Sequence, residues 1–207
     1  GLRPAYKQPQ GQFSNPNGAM AVHTLNWLQS CADSVCAVVG QDAHLLELYC
    51  GGGNHTCALA PSFGRVLAVE LNSRLVQACR ENLALNRIQN VEVVGVDAGK
   101  FCRRIARRRQ WDPQAGDKPA TRERYDFAAV LVDPPRQGLD ENTRKAVSKF
   151  DHVLWISCSP ETLLRDLLLI RGAEDDVSVD GRPPLRVRRF AFFDHFPYTK
   201  HAEVGVY

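Results

Sequence analysis

The sequence predicts an α/β domain: a mostly parallel sheet with helices on both faces and a C-terminal antiparallel strand. Three observations predict it. Short apolar runs alternate with longer stretches of helical periodicity, the pattern of strand-helix-strand crossovers. The first strand-like run leads directly into Gly51, Gly52 and Gly53 and then into a helical segment. The last two apolar runs are joined by a Pro-containing loop without a helix, so they return on each other as a hairpin.

The elements follow in order. Residues 1–18, rich in Gly, Pro, Gln and Asn, read as a linker, and residues 19–207 as one domain, because 207 residues with 44% hydrophobic content suit a single compact core. Met20, Leu25 and Leu28 mark a helix over 19–31. Strands are predicted over 44–49, 65–70, 91–96, 127–132 and 153–156, with helices over 72–86, 99–110, 140–149 and 160–171 between them. Residues 111–124, with two prolines and a glycine, read as a surface insertion, and 185–193 and 203–207 as the terminal strands.

Composition excludes several classes. No apolar run reaches the length of a membrane span, and the N-terminal stretch lacks the apolar centre of a signal peptide, so no membrane association is expected. Seven cysteines without a Cys-x-x-Cys pair suggest neither a disulfide framework nor a metal site; a reducing, intracellular and most simply cytoplasmic setting follows. The net charge of +3 permits an anionic partner without demanding one. Arg103, Arg104, Arg107, Arg108 and Arg109 form one cluster and Arg182, Arg186, Arg188 and Arg189 another; each fits a solvated face as well as a nucleic-acid contact.

The carboxyl ends of the predicted strands carry the candidate site. Gly51 and its neighbours allow backbone to approach a ligand where a Cβ would collide. Glu70 ends the second strand about twenty residues after the turn, where α/β folds place an acceptor for ribose hydroxyls. Asp97, after the third strand, fits either an adenine contact or a helix cap. Glu47 lies inside an apolar strand, where an unpaired carboxylate is costly, and is expected to find a donor near a cofactor's amino acid end. A nicotinamide dinucleotide remains possible, but Thr56 stands where Gly-x-Gly-x-x-Gly would require its last glycine, and a cofactor without phosphates fits better.

The fourth strand ends in Val132-Asp133-Pro134-Pro135-Arg136-Gln137-Gly138, whose prolines stiffen the turn that carries Asp133 and Arg136. The fifth delivers Ser157-Cys158-Ser159-Pro160-Glu161-Thr162-Leu163. Ser159 suits an N-cap and Pro160 a first helical position, so Cys158 lies just outside a helix N-terminus, whose dipole is expected to favour thiolate.

These segments, with Phe13-Ser14-Asn15-Pro16-Asn17, Glu47-Leu48-Tyr49-Cys50-Gly51 and Asp194-His195-Phe196-Pro197-Tyr198-Thr199-Lys200-His201-Ala202-Glu203, resemble the ordered motifs of the tRNA (uracil-5-)-methyltransferases. The resemblance implies a class I methyltransferase, Rossmann-like sheet and S-adenosyl-L-methionine as cofactor. It implies Cys158 as nucleophile on uracil C6 and Glu203 as the base that removes the C5 proton. Asn15, Tyr49, Asn54, Glu70 and Asp133 would contact the cofactor, as would Gly51 and Asp97 from their positions; Arg136, Phe196 and Tyr198 could hold a flipped uracil. Asn15 stands where the family usually has Gln, and Ser159 where it usually has Asn.

The resemblance implies a tRNA partner, the T-loop uridine as substrate, no metal and a monomer. The family's N-terminal RNA-binding region is expected to be missing from this chain. Rival readings are a ribosomal-RNA uracil-5-methyltransferase, an amino-methyltransferase of adenine or guanine, which needs neither Cys158 nor Glu203, and a noncatalytic cofactor- or RNA-binding module.

Overall fold

The computed structural model describes residues 5–12, 17–107, 125–171 and 184–207. The expectations placed on Asn15, on the insertion 111–124, and on Arg108, Arg109 and Arg182 fall outside the described residues. The elements run α1 (Gly18–Val39), β1 (His44–Leu48), α2 (Asn54–Leu59), a short 3-10 turn, β2 (Arg65–Glu70), α3 (Ser73–Leu85), β3 (Val91–Gly95) and α4 (Ala98–Arg107). There follow β4 (Phe127–Val132), α5 (Glu141–Val147), β5 (His152–Ser157), α6 (Pro160–Arg171), β6 (Phe190–Phe193) and β7 (Glu203–Val206).

The seven strands form one sheet in the order β3-β2-β1-β4-β5-β7-β6. The first five in that order pair in parallel, and β7 inserts antiparallel between β5 and β6. This is the predicted fold class: β7 runs against the parallel strands, and β6, antiparallel to β7, returns to their direction. Alternate residues of each central strand enter opposite cores. Leu46, Leu48, Val130, Val132 and Trp155 pack with Phe101, Val147 and Leu163 beneath α4–α6. Leu45, Leu131, Leu154 and Ile156 pack with Leu28, Val35 and Leu59 beneath α1 and α2. Burial on both faces explains why these strands read as continuous apolar runs.

Three of the boundaries that differ from expectation have a visible cause. Helix α1 continues to Val39 because Leu28, Cys31, Ala32 and Val35 carry its buried face onward at helical spacing, with small residues that a search for large apolar side chains passes over. It starts where the Asn17 side chain accepts the Met20 N–H and stops at Gly40, whose φ is 90°. Helix α5 is shorter than 140–149, because Asp140 caps it, its carboxylate accepting from the N–H groups of Asn142 and Thr143. Strand β6 begins only at Phe190: the N–H groups of Arg188 and Arg189 both donate to the Tyr207 carbonyl, at 2.6 and 2.8 Å, and two donors on one acceptor break the ladder. Among the described residues, no helix is long and apolar enough to cross a membrane.

Candidate active site

Sheet register assembles the site. Leu48 pairs with Val69 on one side and Val132 on the other, and Val132 pairs with Trp155, so the exits of β1, β2, β4 and β5 lie side by side. Strand β7 runs the opposite way, with Ser157 opposite Val204. Cys158, the residue after β5, and Glu203, the first residue of β7, therefore share the carboxyl edge with Asp133.

The glycine turn is built on unusual backbone. Tyr49, Gly51 and Gly53 have φ of 64°, 56° and 85°. A Cβ at Gly53 would stand 2.6 Å from the Cys79 sulfur, and one at Gly52 would collide with the Tyr6 hydroxyl. Glu70 holds the turn: its carboxylate accepts from the N–H of Gly51 at 3.0 Å and of Asn72 at 2.8 Å. Each oxygen keeps a further lone pair for a ligand hydroxyl. Asp97 serves as a cap, accepting the Lys100 N–H at 2.8 Å, which is the second of its two readings. Asn54 opens α2 beside the turn, half-buried. Burial pushes the half-buried Tyr49 phenol up to about 12, against the pull of the Thr143 hydroxyl.

Carboxyl groups crowd this edge. Burial pushes Glu47 up to about 8, with the Thr56 hydroxyl beside it pulling down, and the Glu47 Oε2 atom has no hydrogen-bond partner. Asp133 is raised well above the usual carboxylate range by desolvation and by the nearby charges of Glu203 and Glu47. Glu203 is raised to about 7 by burial. His55 lies with Nδ1 3.7 Å from Asp133 Oδ2, yet burial, reinforced by His195, lowers it to about 4, so this contact joins a neutral imidazole to the carboxyl. The site thus holds more acid than cation, and a positively charged ligand would relieve it.

The expectation for Cys158 needs correcting. Its half-buried thiol is raised, first by desolvation, then by Asp133 and, more weakly, Glu203; Arg136 alone among its charged neighbours pulls the other way. Burial and the carboxylates act against the thiolate that the helix N-terminus favours. Ser159 does lead into α6, its carbonyl accepting the Leu163 N–H at 3.0 Å, while its N–H donates to the Ser157 hydroxyl at 3.1 Å. Arg136 reaches the Cys158 thiol, and its Nη2 lies 3.4 Å from His201 Nδ1. Phe196 packs edge-on against His201. Tyr198 is fully exposed, with a φ of 66°, and the structure does not bring it to the cluster.

Several participants were not singled out from sequence. His195, inside a quoted motif, contacts Glu203; Thr24 reaches the same ring from α1. Asn82 on α3 and Asn86, one turn on at its C-cap, clamp the chain's first described residues. Asn82 Oδ1 accepts the Lys7 N–H at 2.7 Å while Nδ2 donates to the Lys7 carbonyl at 3.1 Å and to the Gly52 carbonyl at 2.9 Å. Asn86 grips Ala5 in the same two-handed way, at 2.8 and 2.7 Å. Side-chain amides on a helix that read backbone leave no pattern in hydropathy. A cleft of about 640 Å³ lies at the opposite, amino edge of the sheet, lined by His44, Asp126 and His152 among others, and contains none of the candidate residues.

A family model described as tRNA (Uracil-5-)-methyltransferase matches residues 1–207. The chain belongs to the tRNA (uracil-5-)-methyltransferase family. It is 38% identical over 206 residues to a tRNA/tmRNA (uracil-C(5))-methyltransferase of Cronobacter sakazakii, covering 100% of this chain and 51% of the relative. The same activity names a relative from Shewanella frigidimarina, 38% identical over 97% of this chain and 50% of the relative. The chain thus spans about half the length of the curated relatives it matches. In structure it is similar to the Pyrococcus abyssi tRNA (uracil-54, C5)-methyltransferase in complex with S-adenosyl-L-homocysteine, with a TM-score of 0.67 and 20% identity over 95% of this chain and 40% of that one. That likeness is one of fold.

Proposed function

We propose that this chain carries the catalytic centre of an S-adenosyl-L-methionine-dependent enzyme that methylates C5 of uracil in tRNA, at the T-loop uridine, through a covalent bond from Cys158 to C6. The observation that carries the reading is the meeting of Cys158 with Glu203 at the sheet's carboxyl edge, beside Asp133, since an amino-methyltransferase needs neither the thiol nor a base on the last strand. The residues fit the cofactor. Buried Glu47 Oε2 lacks a partner, the carboxyls of Glu47, Asp133 and Glu203 are all raised, and Gly51 and Gly53 leave the turn without side chains. A sulfonium cation with an ammonium group answers that excess of acid, with Tyr49, Asn54, Glu70 and Asp133 as its further contacts.

Bound there, the cofactor supplies an electrophilic methyl group. The protein supplies the rest. Arg136 favours the Cys158 thiolate, which adds to C6 and makes C5 nucleophilic as an enolate. After methylation Glu203, as carboxylate, takes the C5 proton; the C5–H electrons restore the double bond and Cys158 leaves as thiolate. Reaching C5 requires the uridine to be flipped from its stack, and Phe196 and Arg136 are the side chains proposed to receive it.

The test is a methyl-transfer assay with labelled donor and a tRNA transcript. Cys158→Ala is expected to abolish transfer and covalent RNA capture while cofactor affinity stays within about threefold, and Glu203→Gln to accumulate a methylated covalent adduct on denaturing gels. Full turnover by Cys158→Ala would overturn the reading. Mapping the methylated nucleotide in a digest tests the choice of uridine.

A further inference from the structure

Glu203 has a close neighbour that the chemistry above leaves unused. His195, 2% exposed, follows β6, and its Nε2 lies 2.6 Å from Glu203 Oε2 and 3.3 Å from Thr24 Oγ1. The Thr24 hydroxyl has one proton, which it donates to the Met20 carbonyl at 3.2 Å, so toward the ring it accepts. That assigns the ring proton to Nε2. The N–H then points to Thr24 Oγ1, with Glu203 Oε2 in contact but off the hydrogen-bond line and without another partner. Contacts of this kind align when a substrate fills the site.

We propose that His195 is the positioning residue of Glu203: its Nε2–H, oriented by Thr24, holds Oε2 and leaves the other carboxylate oxygen to take the C5 proton. The proposal rests on the reading of Glu203 as base. Burial lowers the imidazole, with Asp194 pulling the other way, so the ring is neutral and donates to the carboxylate without competing for its charge. A donor to the ionised form favours that form and opposes the desolvation that raises Glu203. The other titratable groups facing the pair are Asp194 beside the ring, His55 from α2, Asp133 after β4 and Cys158 after β5.

The experiment follows tritium release from tRNA labelled at uracil C5, which reports proton removal, against covalent adduct formation, which precedes it. His195→Leu is expected to form the adduct at the parental rate but to release tritium at least about tenfold more slowly at pH 7, with the pH-rate limb moved to alkaline pH by about one unit. His195→Gln, whose amide N–H can replace the donor, restores release to within about threefold. Thr24→Val frees the ring and gives a smaller shift in the same direction, which carries the test if His195→Leu does not fold. An unmoved limb in His195→Leu, or equal slowing of Leu and Gln variants without an alkaline shift, overturns the proposal. Parental tritium release by Glu203→Gln would instead overturn the role of Glu203 itself, so the two failures are distinguishable.

Discussion

At the scale of single residues, the site works by placing acids where they are poorly solvated. Glu203 sits near 7 rather than in the ordinary carboxylate range, which suits its proposed role of accepting a proton from carbon and then giving it up near neutrality. The rate of product release is therefore expected to rise about tenfold per pH unit below 7 and to level off above it, read from single-turnover rates between pH 5.5 and 9. A limb near 4.5 would show that burial does not govern this carboxyl. The residues named from sequence largely meet here: Cys158, Glu203, Asp133, Glu70, Tyr49, Asn54 and Gly51 share one edge, and Arg136 joins them through the thiol. The charge state of Cys158 was not legible in the same way. A helix N-terminus is visible as Ser159-Pro160, whereas the burial that raises the thiol, and the carboxyls of Asp133 and Glu203 that add to it, come from packing and distant strands.

At the scale of elements, two devices hold the edge in shape. The first is the amide clamp of α3, in which fully buried Asn82 binds both the Gly52 carbonyl and the Lys7 backbone. Asn82→Ala leaves these backbone groups without partners and is expected to cost about 2 kcal/mol of stability and to weaken cofactor binding, measured by chemical denaturation and calorimetric titration. Unchanged affinity would separate the clamp from the turn. The second device fixes the loop after Asp133. Buried Asp166 accepts the Leu139 N–H at 2.7 Å and Arg165 Nη2 at 2.8 Å, with Arg144 at 3.4 Å, and a Cβ at Gly138 would collide with its carboxylate. Asp166→Ala is expected to destabilise by roughly 2–3 kcal/mol, less than a fully buried ion pair because both arginines reach solvent. Sequence marks the Pro-Pro loop as stiff; the anchor on α6 lies twenty-seven residues from Leu139 and is invisible to it.

At the scale of the whole molecule, function costs stability as pH rises. Glu47 is raised to about 8 in the folded chain from about 4.5. A carboxyl raised in this way stabilises fully below its unfolded value and progressively less as pH climbs through the folded one. The cofactor-free protein should lose stability between pH 5 and 8, with Glu203 contributing over the lower part of that window. Glu47→Gln should flatten the decline in melting temperature and make the cofactor-free chain the more stable of the two at pH 8.5, while reducing cofactor affinity. A parallel decline in both proteins would assign it elsewhere. By itself, the sequence determined the alternation of strands and helices, the glycine turn, and the two stiff exits carrying Asp133 and Cys158, because periodicity and turn chemistry are local. Tertiary structure alone decided which strand lies beside which. The insertion of β7 between β5 and β6 sets Glu203 next to Cys158, brings His195 and Thr24 behind it, and buries the acids whose shifted protonation the proposed chemistry uses. Desolvation and pairing between distant strands are properties of the packed sheet, and no local stretch of chain encodes them.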